Sequence, residues 1–157
     1  MGFVIIFFAT WLAVFGFAAM TKSLSVIENT FIYLVVFIVT VHFSWIVIEE
    51  LKWIKLAGDP MSYAAYIIYR TFLLPMLYVM LFNMVYNASS RGVALVIAFA
   101  ILAVTLAVNG VLLFYDVYRY VQWNINLTAI TYILLQVLIY YTLKLFRKST
   151  RAGEGTV

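Results

Sequence analysis

No cysteine occurs among the 157 residues. That excludes disulfides, thiol chemistry, iron–sulfur ligation and cysteine-based zinc sites. Charge is scarce too: Asp, Glu, Lys and Arg make up 10% of the chain, where a soluble domain carries about 25%. One histidine, His42, is present. There is no glycine-rich phosphate loop, no His-Glu-x-x-His pair and no Ser-His-Asp set. A single histidine and short loops leave little room for hydrolytic or transfer chemistry, so the expectation is a non-enzymatic protein without a metal site. The N-terminus lacks the basic residues that open a secretory leader, and Lys22 follows the first apolar run instead. Position 6 is Ile6, where a myristoylation pattern needs Ser or Thr.

What is present is apolar. Hydrophobic residues reach 67%, aromatic residues 18%, and the mean hydropathy is +1.08. Too little polar surface exists to cover a soluble fold, which predicts an all-α integral membrane protein. The few charges segment the chain. Charge-free stretches run over Met1–Thr21, Asn29–Ile48, Thr71–Ser90, Gly92–Tyr115 and Tyr120–Leu143. Each reaches about 20 residues, enough to cross a hydrocarbon core of about 30 Å. The runs are continuous rather than alternating, which favours helices over barrel strands.

The reading is therefore one transmembrane domain over residues 1–157, a bundle of five helices. The expected spans are 3–21, 30–48, 70–88, 93–115 and 126–146. A basic tail over 147–157, disordered at its end, is expected to follow. Five such spans consume roughly 105 residues, so no soluble domain is expected within these residues.

The net charge of +4 is a topology signal here rather than a nucleic-acid footprint. Lys22, Arg91, Lys144, Arg147, Lys148 and Arg151 fall on one side. Lys52, Lys55, Arg70 and Arg119 fall on the other. The denser terminal group predicts a multi-pass protein of the cell membrane, N-terminus outside and C-terminus cytoplasmic. Nothing between Thr30 and Ala57 breaks a helix, so the second helix is expected to overrun the membrane, with Glu49 and Lys52 paired on its surface.

Polar residues inside spans are functional candidates. His42 and Glu49 are seven apart and share a face of the second helix with Trp45. That face is expected to point into the bundle. Arg70 opens the third span, with Glu49 as its expected partner. Pro75 removes an amide and frees the carbonyl of Thr71, predicting a kink. Asn83, Asn109 and Gln136 are single amides suited to interhelical hydrogen bonding. By depth, His42, Glu49, Arg70, Asn109, Asp116, Thr128 and Thr131 gather near the outer side, a candidate polar vestibule or ion pathway. Small residues recur at Ala9, Ala13 and Gly16, and again at Ala100, Ala103, Ala107 and Gly110. Both stripes are expected to be helix-packing faces, with the second resting on the first span.

Three functions follow as expectations. The first is a subunit or assembly partner of a larger membrane complex, with lipid, other membrane chains or further copies of itself as partners and no cofactor. The second is a small oligomeric transporter or channel using the outer vestibule. The third is a haem- or quinone-associated membrane anchor in which His42 is the haem ligand.

Overall fold

The computed structural model describes the backbone of residues 1–154 and the side chains of 1–150. Five helices form: α1 (Gly2–Ala19), α2 (Val26–Glu50), α3 (Pro60–Tyr86), α4 (Arg91–Phe114) and α5 (Ile125–Glu154). All five are long and apolar enough to cross a membrane. Two short strands join them, β1 (Ile54–Leu56) and β2 (Tyr118–Tyr120).

Helix starts follow local chemistry. Ser25 and Glu28 form a reciprocal capping box at α2, with Ser25 N–H donating to Glu28 at 2.8 Å. Asp59 caps α3 ahead of Pro60, accepting from Ser62 N–H at 2.9 Å. That hydrogen bond holds the Asp59 carboxyl below its usual range. Ser90 and Asn124 cap α4 and α5 in the same way. Helices thus begin at caps rather than at the edges of charge-free runs. This is why α2 starts at Val26 instead of 30, and α3 at Pro60 instead of 70. α5 continues as helix to Glu154, past the expected span end at 146; the end of the basic tail, residues 155–157, lies outside the described residues.

α2 does not overrun to Ala57. Its last turn, Ile46–Glu50, is a wider π turn. Lys52 then takes a left-handed φ of 55°, which ends the helix and turns the chain into β1. Glu49 and Lys52 form no ion pair. α4 ends in the same fashion. Asp116 at φ 53° closes a Schellman motif, with Asp116 N–H on Leu113 O at 3.1 Å and Val117 N–H on Leu112 O at 2.9 Å. The two strands then pair antiparallel, Ile54 opposite Tyr120 and Leu56 opposite Tyr118. This ribbon ties the α2–α3 connection to the α4–α5 connection and closes one end of the bundle.

α3 is the central helix. Of its most apolar stretch 61% of residues are buried, against 17–22% in the other four helices. α1 packs on α3, with Ala13 buried and Gly16 facing Met80, whose Cε lies 3.1 Å from where a Cβ would stand. The Ala9, Ala13, Gly16 stripe is thus a packing face. The α4 stripe is not: Ala100, Ala103, Ala107 and Gly110 are all exposed, and nothing lies within 4 Å of a Cβ placed on Gly110. α4 instead buries Leu102, Thr105, Asn109 and Leu112 and packs on α3 and α5. Asn109 needs hydrogen-bond partners that only the interior supplies, and that need rotates the small residues outward.

Pro75 acts together with a π turn. α3 widens over Tyr69–Leu73 immediately before it. The freed carbonyl of Thr71 accepts the Tyr33 hydroxyl of α2 at 2.7 Å, and the Arg70 carbonyl faces the Thr40 hydroxyl at 3.5 Å. At the opposite end from the ribbon, Asn83 is fully buried. It accepts from the Ser23 and Leu24 amides at 3.0 and 3.1 Å and donates to Asn29 and to the Val79 carbonyl.

Candidate functional site

A cavity of about 580 Å³ lies between α2, α3 and α5 beneath the ribbon. That is within the range of about 300–1,000 Å³ usual for small-molecule sites. Its walls are mainly apolar, from Val39, Phe43 and Val47 on α2 and from Leu135 and Leu138 on α5. Leu134, Val137, Leu138 and Tyr141 are 62%, 46%, 41% and 59% exposed, so the cavity opens sideways along α5. Thr128 and Tyr141 both line it, 13 residues apart, a length of about 20 Å along the helix.

The ribbon end is polar. Trp123 Nε1 donates to Thr128 Oγ1 at 2.9 Å, and Thr128 and Tyr120 share a hydrogen bond of 2.7 Å. The Tyr120 hydroxyl donates to Asn109 Oδ1 at 2.7 Å, and Asn109 Nδ2 donates to the Tyr132 hydroxyl at 3.3 Å. Tyr132 and Tyr69 are hydrogen-bonded hydroxyl to hydroxyl. The chain links α3, α4, α5 and β2. Its direction is set at Asn109, whose carbonyl accepts and whose amide donates. The Tyr132 hydroxyl oxygen therefore accepts a hydrogen bond from Asn109. Of the two phenol protons in the Tyr69–Tyr132 pair, one makes their mutual bond and the other has no acceptor among the described hydrogen bonds. Above them Tyr118 packs edge-on against Tyr66, with ring centroids 5.9 Å apart, and burial pushes its phenol well above the usual range.

Arg70 lines the same end, next to Tyr69 in the π turn. Its guanidinium carbon sits 5.4 Å from the Tyr66 ring centroid. Its Nε is buried and makes no hydrogen bond. The expected partnership with Glu49 is not formed: the ion pairs among the described residues are Arg119–Asp116 and Arg147–Glu28. Glu49 is exposed, as is Glu50. The reason lies in the phase of α2. Its buried positions are Asn29, Ile32, Val36 and Thr40, and the face carrying His42, Trp45 and Glu49 is turned away from them.

Of the expected vestibule, the fold brings together Arg70, Asn109, Thr128 and Thr131. His42 is exposed, and its Nδ1 is hydrogen-bonded to the Ile38 carbonyl of its own helix at 2.8 Å. It lies outside the cavity. Asp116 is exposed and pairs with Arg119 at 2.9 Å. Gln136 does not line the cavity either; it reaches the Ala98 carbonyl at 3.4 Å and links α5 to α4. No group of three or more His, Asp or Glu side chains that could hold a metal occurs among the described residues.

Reading the sequence missed the tyrosines. Tyr66, Tyr69, Tyr118, Tyr120 and Tyr132 enter the composition only as part of its aromatic content, although a buried phenol needs a hydrogen-bond partner. Their one signal was density near the two connections that form the ribbon. Comparison with protein-family models, curated proteins and solved structures returned no match.

Proposed function

We propose that this chain is a non-enzymatic, multi-pass protein of the cell membrane that takes an amphiphilic ligand from the bilayer into the cavity between α2, α3 and α5. It is the transporter-like reading, with the outer vestibule replaced by a lateral site. The observation that carries it is the shape of the cavity: apolar along its length, open on the exposed apolar side of α5, and polar only under the ribbon. With the N-terminus outside, the ribbon and the polar end lie toward the outer surface. The test is native mass spectrometry of protein released from lipid nanodiscs. The wild type is expected to retain a lipid-sized adduct, and cavity-filling Val39→Trp and Leu138→Trp are expected to lose it. Identical adduct spectra in all three proteins would overturn the reading.

A second reading, assembly with other membrane chains or with a second copy, draws on the outward small-residue face of α4. Close backbone approach between helices needs such a face. Because the chain has no cysteine, Ala103→Cys provides a single thiol for cross-linking in native membranes. Disulfide-linked dimers or a fixed heteromeric adduct are expected. A chain that stays monomeric under oxidation removes this second reading.

A further inference from the structure

The head of the cavity carries a cation and spare donors but no acid. Arg70 brings one positive charge, and its buried Nε is unpartnered. The Tyr69–Tyr132 pair leaves one phenol proton over. No Asp or Glu lines the cavity. Arg70 stands ten residues into α3, and its guanidinium reaches back to the Tyr66 ring, one turn nearer the ribbon. The Tyr66 ring gives the guanidinium a cation–π contact but no acceptor, so the buried Nε lacks a hydrogen bond that an anion would complete.

We infer that the cavity binds a single-chain carboxylate amphiphile of the bilayer, its carboxylate on Arg70 and its hydrocarbon chain along α5 toward Tyr141. The inference rests on the bilayer-ligand reading above and names the ligand class. Charge complementarity selects the head. One guanidinium balances one negative charge and matches a carboxylate in bidentate geometry. A phosphate monoester carries about −1.5 to −2 and would leave charge uncompensated. The length selects the tail. From Tyr132 beside the head to Tyr141 the lining follows nine residues of α5, about 14 Å, close to the roughly 15 Å depth of one leaflet, and one groove along α5 takes one chain.

The test is a ligand series on the full chain in phosphatidylcholine nanodiscs, read as ligand-dependent thermal stabilisation. Oleate, monoolein, oleylamine and oleoyl lysophosphatidate share one hydrocarbon chain and differ in head charge. Oleate is expected to bind about tenfold or more tighter than monoolein, the scale of one charge-assisted hydrogen-bonded pair. Oleylamine is expected not to stabilise. Arg70→Gln should bring the oleate-to-monoolein ratio to about one, and Arg70→Lys should keep a preference for oleate. The wild-type series decides the question even where a variant fails to fold. Equal stabilisation by oleate and monoolein, lost for both in Leu138→Trp, would overturn the carboxylate assignment and leave the cavity reading standing. Lysophosphatidate binding more tightly than oleate would also overturn it, in favour of a phosphate head. No stabilisation by any of the four would overturn both readings, the groove then belonging to a protein helix.

Discussion

The Tyr33 hydroxyl donates to the Thr71 carbonyl at 2.7 Å, the carbonyl that Pro75 leaves without an amide partner. A proline and a tyrosine 42 positions apart thus act as one unit: the gap opened in α3 is filled from α2. Tyr33→Phe is expected to destabilise the bundle by about 0.5–2 kcal/mol, because the carbonyl stays buried without a donor. Pro75→Ala restores an amide to that stretch of α3, so Tyr33→Phe should cost less in the Pro75→Ala background. Unfolding of the four proteins in mixed micelles gives the cycle. Additive losses would show that the hydroxyl is not compensating for the proline.

Asn83 holds the α1–α2 connection against α3 through two hydrogen bonds, from the Ser23 and Leu24 amides, and ties in α2 through a third to Asn29. Asn83→Leu strands the Ser23 and Leu24 amides and the Asn29 side chain. A loss of about 1–3 kcal/mol is expected, with faster amide exchange at residues 23 and 24. Unchanged exchange there would mean that the connection finds other partners.

Glu28 and Arg147 join the start of α2 to α5 at 2.5 Å, and the Arg147 guanidinium lies 4.2 Å from the Tyr86 ring centroid. Their side chains are 16% and 30% exposed, so the pair is shielded in part from solvent screening. A Glu28→Gln, Arg147→Gln cycle is expected to return a coupling of about 0.5–1 kcal/mol. The same cycle on Glu49 and Arg70 should return none, since those two do not pair. Coupling at Glu49–Arg70 equal to that at Glu28–Arg147 would contradict the arrangement of α2.

The two small-residue stripes should respond oppositely to bulk. Gly16→Leu meets Met80 and is expected to cost about 1–3 kcal/mol by overpacking. Ala103→Leu points outward and should change monomer stability by no more than about 0.5 kcal/mol. The reverse order would place α4 with its other face inward.

Orientation is open to direct measurement. A reporter fused after Val157 is expected in the cytoplasm, and one inserted at Gly58 is expected outside. Gly58 has nothing within 4 Å of an added Cβ, so its connection tolerates an insertion. Both reporters on one side would break the five-span topology.

The sequence by itself determined the number of long helices. Sixteen charged residues among 157 leave five apolar stretches of bilayer length, and only helices satisfy the backbone in stretches that long and that apolar. It also located the connections and the carbonyl that Pro75 frees. Only the tertiary structure decided which way each helix faces. In α2 and α4 nearly every face is apolar, so periodicity carries no contrast between lipid and interior. The choice then falls to a few polar groups that need partners. Asn109 turned the α4 stripe outward, and the buried line through Asn29 and Thr40 turned His42 and Glu49 away from the bundle. The ribbon depends on pairing between residues 62 to 66 positions apart, Leu56 with Tyr118 and Ile54 with Tyr120. No local pattern encodes that pairing. It forms because α2 and α4 both end in left-handed turns at Lys52 and Asp116, and packing on α3 holds those ends side by side.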